Sequence, residues 1–136
     1  MALGNSRFPK EQRLCRRNTI LQLFDRKQSH PRLLRYPVLA VWMHQPISDT
    51  PVPAQVLISV SKKKWKRAVD RNHVKRRMRE AYRLQKPQLF ACLPAHHPGL
   101  AILFLFIGDH LPRQETLDHQ FQSMLKHICQ HESVDS

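Results

Sequence analysis

The chain is poor in glycine, with only three among 136 residues, and that scarcity excludes a whole class of chemistry. A phosphate-cradling loop needs closely spaced glycines so that backbone N–H groups can approach the nucleotide, and no G-x-x-x-x-G-K-[ST] stretch occurs. Cysteine is scarce as well. Cys15, Cys92 and Cys129 are odd in number and lack C-x-x-C spacing, so neither a disulfide framework nor a zinc ribbon is signalled and a reducing cytoplasm is expected. No run approaches the roughly 20 apolar residues of a membrane span, and the longest, LAILFLFI at Leu100 to Ile107, is strand length. MALGNSRFPKEQRL lacks the apolar stretch of a secretory signal, so none is expected.

Acidic residues are few: ten Asp and Glu stand against 23 Lys and Arg, a formal charge of +13. The excess is concentrated, because Ser61 to Arg83 holds eleven basic residues and two acids, or +9. An imbalance of this size favours a polyanionic partner rather than any particular fold.

The pattern along the chain predicts one domain, residues 1–131, with a basic N-terminal arm and a polar tail at 132–136. NTILQLFDRK places Ile20, Leu23, Phe24 and Lys27 on one face of a short helix, with Asn18 as its N-cap. YPVLAVWMH and AQVLISVSK read as strands, and the proline-bearing QPISDTPVP between them suggests a hairpin. From about Asp70 to Gln85 the period becomes helical: Val74, Met78, Ala81 and Tyr82 share one face, while Asn72, Arg76, Arg79 and Arg83 line the other. KPQLFACLPAHHPG reads as a loop, LAILFLFI as a strand buried on both faces, and Leu117, Phe121, Leu125 and Ile128 mark a last helix after Pro112. The expected class is α+β: helices packed on a single mixed sheet of three to four strands, a short segment near RLLRY supplying the fourth.

The basic helix carries the functional signal. RNHVKRRMRE, residues 71–80, holds five Lys or Arg, and like charges recur at i,i+4, where each pair costs a few tenths of a kcal/mol. Phosphates offset that cost by releasing condensed counterions, and Arg adds bidentate geometry. A membrane surface fits less well, since the apolar face of this helix carries no Trp or Phe and is needed for the core. Nine histidines invite a metal site, and His127 with His131 has chelate spacing on a helix, but no third ligand stands at a defined offset. No metal ligand or catalytic side chain is therefore assigned. His96 and His97 are expected in solvent, and Cys129 as a free, partly buried thiol.

ISVSKKKWKRAVDRNHVKRRMREAY, Ile58 to Tyr82, resembles the signature of the bacterial ribonuclease P protein subunit, in which a strand leads into a helix bearing R-N-R-x-K-R. FPKEQRL at Phe8 to Leu14 and ILQLF at Ile20 to Phe24 are similar to that family's N-terminal arm and first helix. The resemblance implies a four-stranded sheet with a left-handed β-α-β crossover. It also implies a non-catalytic subunit of an endoribonuclease that removes the 5′ leader of precursor tRNA. The chemistry would belong to a catalytic RNA using Mg2+ held mainly by RNA and substrate. The partners implied are that RNA and precursor tRNA, with neither a membrane nor a small-molecule substrate, in the cytoplasm.

By the same resemblance RNA contacts fall to Lys62, Lys63, Arg67, Arg71, Asn72, His73, Lys75, Arg76 and Arg79. His73 stands where the family has a third Arg, giving up a permanent charge and a bidentate fork. A leader cleft between the first helix and the sheet would be lined by Lys10, Ile20, Phe24, Ala40 and Ser59. Ile20 and Ala40 occupy positions where the family commonly has aromatics, which implies weaker stacking than usual. The alternative from the residues alone is a structural RNA binder of ribosomal type with no role in tRNA processing.

Overall fold

The computed structural model describes residues 12–25, 27–45, 53–93 and 97–135, the last three by their backbone only. Lys10 and His96 lie outside the described residues. The element order is α1 (Arg17–Phe24), β1 (Arg32–Arg35), β2 (Val38–His44), β3 (Ala54–Val60), α2 (Ala68–Cys92), β4 (Leu100–Phe106) and α3 (Gln114–Asp135). The α+β class and the fourth strand at RLLR hold.

Strand order is β1-β2-β4-β3, with β1–β2 and β2–β4 antiparallel and β4–β3 parallel. This corrects the expected hairpin between β2 and β3, because β4 lies between them. Strand β4 is apolar throughout and nearly all buried, so an edge position would expose it along one side, whereas the centre gives it two neighbours and two covered faces. The hairpin is instead β1–β2, and α2 makes the crossover between β3 and β4.

Alternation along the strands divides the sheet into two faces. One carries Val38, Ala40 and Trp42, Val56, Ile58 and Val60, and Ile102, Phe104 and Phe106, all packed under α2 and α3. From the helices come the predicted Val74, Met78, Ala81 and Tyr82, and Leu117, Phe121, Leu125 and Ile128, every one buried. The other face holds a thinner layer of Leu14, Leu23, Val41, Ala101 and Leu103, with Ile20, Leu57 and Leu105 at its margins. Helix α1 lies over this second face.

Local expectations shift in four places. Helix α1 starts after Arg16 and ends at Phe24, so Asn18 is an exposed helical residue rather than the cap, and Lys27 lies beyond, its N–H bonded to Asp25 Oδ1 at 2.9 Å. Helix α2 runs on to Cys92 straight through Pro87, where a loop was expected. A proline inside a helix costs about 3 kcal/mol or more; burial of Leu89 and packing of Phe90 against the core offset it. Cys92 and Cys129 are bonded as a disulfide between α2 and α3, so Cys129 is not free, and only their proximity in the fold reveals it.

The fourth shift is at the C-terminal end, where α3 continues past residue 131 and Glu132 is buried rather than part of a polar tail. The His97 side chain is packed against it and 5% exposed instead of solvated, with Nε2 2.8 Å from Glu132 Oε1. Burial opposes the charge on Glu132, but hydrogen bonds from His97, His44 and His131 outweigh it, so its pKa lies below the ordinary carboxylate value.

Candidate nucleic-acid interface

Strand β3 ends at Val60, and the turn at 61–67 delivers Lys62, Lys63 and Arg67, all exposed, to the start of α2. The turn is tied down by five bonds. Trp65 N–H donates to Ser61 O at 3.0 Å, Trp65 Nε1 to Gly108 O at 2.9 Å, and Lys64 Nζ to Ile107 O at 2.9 Å. Arg71 Nη1 donates to the carbonyls of Trp65 and Lys66 at 2.7 and 3.0 Å. Arg71 therefore shapes the turn as well as adding charge. Arg67 stands 3.9 Å from Asp70 in an exposed i,i+3 pair.

Along α2, Asn72, His73, Arg76 and Arg79 are exposed and Lys75 half-buried, on the side away from Val74 and Met78. Arg77, equally basic, faces elsewhere. Its Nη1 donates to the carbonyl of Pro112, and Gln114 Nε2 donates to Arg77 O at 2.9 Å, so it docks α2 to the start of α3. Arg83 pairs with Glu80 one turn back, its Nε 3.0 Å from Oε2. The charge run thus splits into structural and outward-facing cations, a division that i,i+4 counting could not make.

Residues 12–16 add a cation, Arg13, that the sequence alone places only within a basic arm. Arg13 bridges to Val56 in parallel fashion, and Leu14 N–H donates to Val56 O at 3.0 Å, so this segment runs along the free edge of β3. A cavity of about 360 Å³ opens there, lined by Arg13, Leu14, Cys15, Val56, Leu57, Ile58 and Arg79. Partial burial, then the neighbouring guanidiniums of Arg76 and Arg13, lower the pKa of Arg79 from its ordinary value. Arg13 and Arg79 line the cavity and Arg79 is repelled by both Arg13 and Arg76, a repulsion that a bound anion relieves.

Of the expected cleft residues, Ser59 is half-buried on the α1 face of the sheet, opposite Leu105 in the register, and Ile20 packs into the apolar layer beside it. Phe24, 46% exposed at the end of α1, presents its ring to solvent. Ala40 is a correction. It is 0% exposed on the opposite face, in the core between the sheet and α2 and α3, because it shares the parity of Val38 and Trp42. It cannot line a cleft under α1.

A family model described as Ribonuclease P matches residues 8–129. The ribonuclease P protein component of Chlorobaculum tepidum is 40% identical over 91 residues, covering 62% of this chain and 59% of that one. Its counterpart from Porphyromonas gingivalis is 41% identical over 76 residues, 56% of each chain. The chain thus spans somewhat under three fifths of the length of these curated relatives. Among solved structures, the RNase P protein from Thermotoga maritima superposes with a TM-score of 0.62 at 20% identity, over 85% of this chain and 96% of that one. That from Staphylococcus aureus gives 0.51 at 21%, over 88% and 93%. At these identities the two structures speak for the fold.

Proposed function

The chain belongs to the ribonuclease P family, and from that premise we propose that it is the protein subunit of a ribonucleoprotein that removes the 5′ leader of precursor tRNA. It binds the catalytic RNA and the leader and performs no bond cleavage itself. The observation that carries this reading is the convergence of Arg76 and Arg79 on α2 with Arg13 on the segment at the edge of β3, beside the sheet face that α1 covers. Such an arrangement provides fixed positive charge at closely spaced phosphates next to an apolar surface with one exposed ring, Phe24.

The reaction's Mg2+ belongs to the RNA and substrate in this reading. A hard cation wants oxygen ligands, and the basic face offers only Asp70 and Glu80, each engaged by an arginine. The protein's part is to lower the Mg2+ concentration that the RNA needs by screening its phosphates. Work on precursor tRNA implies a cytoplasmic location, and among the described residues no helix is long and apolar enough to cross a membrane.

The test is to mix the purified protein with its organism's catalytic RNA and precursor tRNA at low magnesium. Cleavage at the 5′ leader junction that requires both RNA and protein supports the proposal. Cleavage by rigorously RNA-free protein defeats it, and tight RNA binding with no effect on cleavage turns the reading to a structural RNA binder.

A further inference from the structure

Three side chains distant in sequence meet where β2 ends and β4 begins. His44 is the last residue of β2 and pairs with Leu100, the first of β4; His97 lies just before β4; Glu132 comes from the end of α3. Both His Nε2 atoms approach the same carboxylate oxygen, Glu132 Oε1, His44 at 2.7 Å and His97 at 2.8 Å. The three ligand atoms all lie within 4.8 Å of one another. The two imidazoles meet edge to face with centroids 5.0 Å apart, so their nitrogens converge without the rings stacking.

The surroundings fix the carboxylate. Its other oxygen, Oε2, accepts from Trp42 Nε1 and from His131 Nδ1, each at 3.2 Å, the kind of outer support that holds a ligating carboxylate in one orientation. His97 and Glu132 are nearly closed off, their side chains 5% and 2% exposed, whereas His44 is 53% exposed. The site is thus walled on the protein side and open on one side to solvent, where an ion can enter and keep a water ligand.

We propose that His44, His97 and Glu132 bind one divalent transition-metal ion, Zn2+ by its ligand chemistry, which clamps the end of α3 to the sheet. Two imidazole nitrogens and one carboxylate oxygen with an open fourth position make a zinc donor set, and a nitrogen-rich set of this kind disfavours Mg2+ and Ca2+. Helix position alone pointed to His127 with His131 and found no third ligand; the ligands come instead from three separate segments. The clamp is independent of the RNA-binding reading, since it lies at the end of the sheet away from the turn that starts α2.

Loading has a proton consequence. Gly99 N–H donates to His97 Nδ1 at 2.9 Å, so without metal the His97 proton sits on Nε2 and points at Glu132. Ligation through Nε2 moves that proton to Nδ1 and opens the bond to Gly99. The Gly99 φ of 97° is a glycine conformation, and a Cβ there would fall 2.3 Å from Gln45 Oε1, so the amide is aimed by backbone geometry that a side chain would not tolerate.

The experiment uses the full chain stripped with EDTA and dialysed against ZnCl2, with Co2+ as a spectroscopic substitute. One Zn2+ bound per chain is expected, with a melting temperature that rises on zinc addition and falls back with EDTA. His44→Ala, whose ring is largely in solvent, and Glu132→Gln are expected to weaken zinc binding by about tenfold or more, while His127→Ala leaves it unchanged. Imidazole 15N spectra of the wild type are expected to show the His97 proton moving from Nε2 to Nδ1 on loading. If His97→Gln fails to fold, His44→Ala and the tautomer change still decide. The proposal falls if the folded protein takes up no zinc, if uptake survives both His44→Ala and Glu132→Gln, or if the His97 tautomer stays as it was. Any of these leaves the cluster a hydrogen-bonded clasp.

Discussion

Gln114, the first residue of α3, donates its side-chain amide to the main-chain carbonyl of Arg77 in the middle of α2 over 2.9 Å, and the Arg77 guanidinium answers with a bond to Pro112 O. Arg77 is thereby a joint between helices, although it sits in a basic run between Arg76 and Met78. Arg77→Ala is expected to lower stability by roughly 1 to 3 kcal/mol, the scale of losing a charge-assisted bond, and to leave the salt dependence of RNA binding unchanged. Denaturant unfolding and binding isotherms at several salt concentrations check both halves.

Arg76 and Arg79 should behave in the opposite way. Each projects from the exposed side of α2, so Arg76→Ala and Arg79→Ala are expected to keep the fold and each to remove about one unit from the slope of log affinity against log salt. An unchanged slope in both variants removes these residues from the interface.

The aromatic at the end of α1 gives a third expectation. Phe24→Ala should cost little stability because the ring is 46% exposed, yet weaken binding of precursor tRNA relative to mature tRNA by about 1 to 3 kcal/mol if a leader base stacks on it. Ala40→Tyr makes the contrast. Placed at a fully buried core position, it should lower stability by about 1 to 3 kcal/mol or more through overpacking, and leave the precursor-to-mature ratio as it is. Thermal unfolding beside paired affinity measurements distinguishes the two.

The bond between Cys92 and Cys129 closes a loop with a sequence separation of 37 and ties the stretch of α2 beyond Pro87 to α3. Reduction is expected to lower stability by about 3 to 4 kcal/mol by the loop-entropy relation, read as a shift of the denaturant midpoint with and without reductant. Cys15→Ser is the right background, since Cys15 is an exposed free thiol that would otherwise exchange with the bond.

Periodicity and charge by themselves determined a good part of this protein. The apolar stripe of Val74, Met78, Ala81 and Tyr82, the buried stretch from Leu100 and the spacing of Leu117, Phe121, Leu125 and Ile128 are properties of single segments, and each segment buries the face that its own period exposes. The concentration of cations between Ser61 and Arg83 is equally local and can be read from one stretch of sequence. What the tertiary structure alone decided depends on which segments meet. Strand β4 displaces the expected β2–β3 pairing because an apolar strand is cheapest at the centre of a sheet. That arrangement, with α2 and α3 over one face and α1 over the other, assigns Ala40 to the core and leaves Ser59 beside α1. The same packing carries α2 through Pro87, turns Arg77 toward Pro112 while Arg79 shares a cavity with Arg13, and brings His97 to Glu132 across 35 residues of sequence. Pairings of that kind gain their energy only once the whole core is assembled, so no window of sequence contains them.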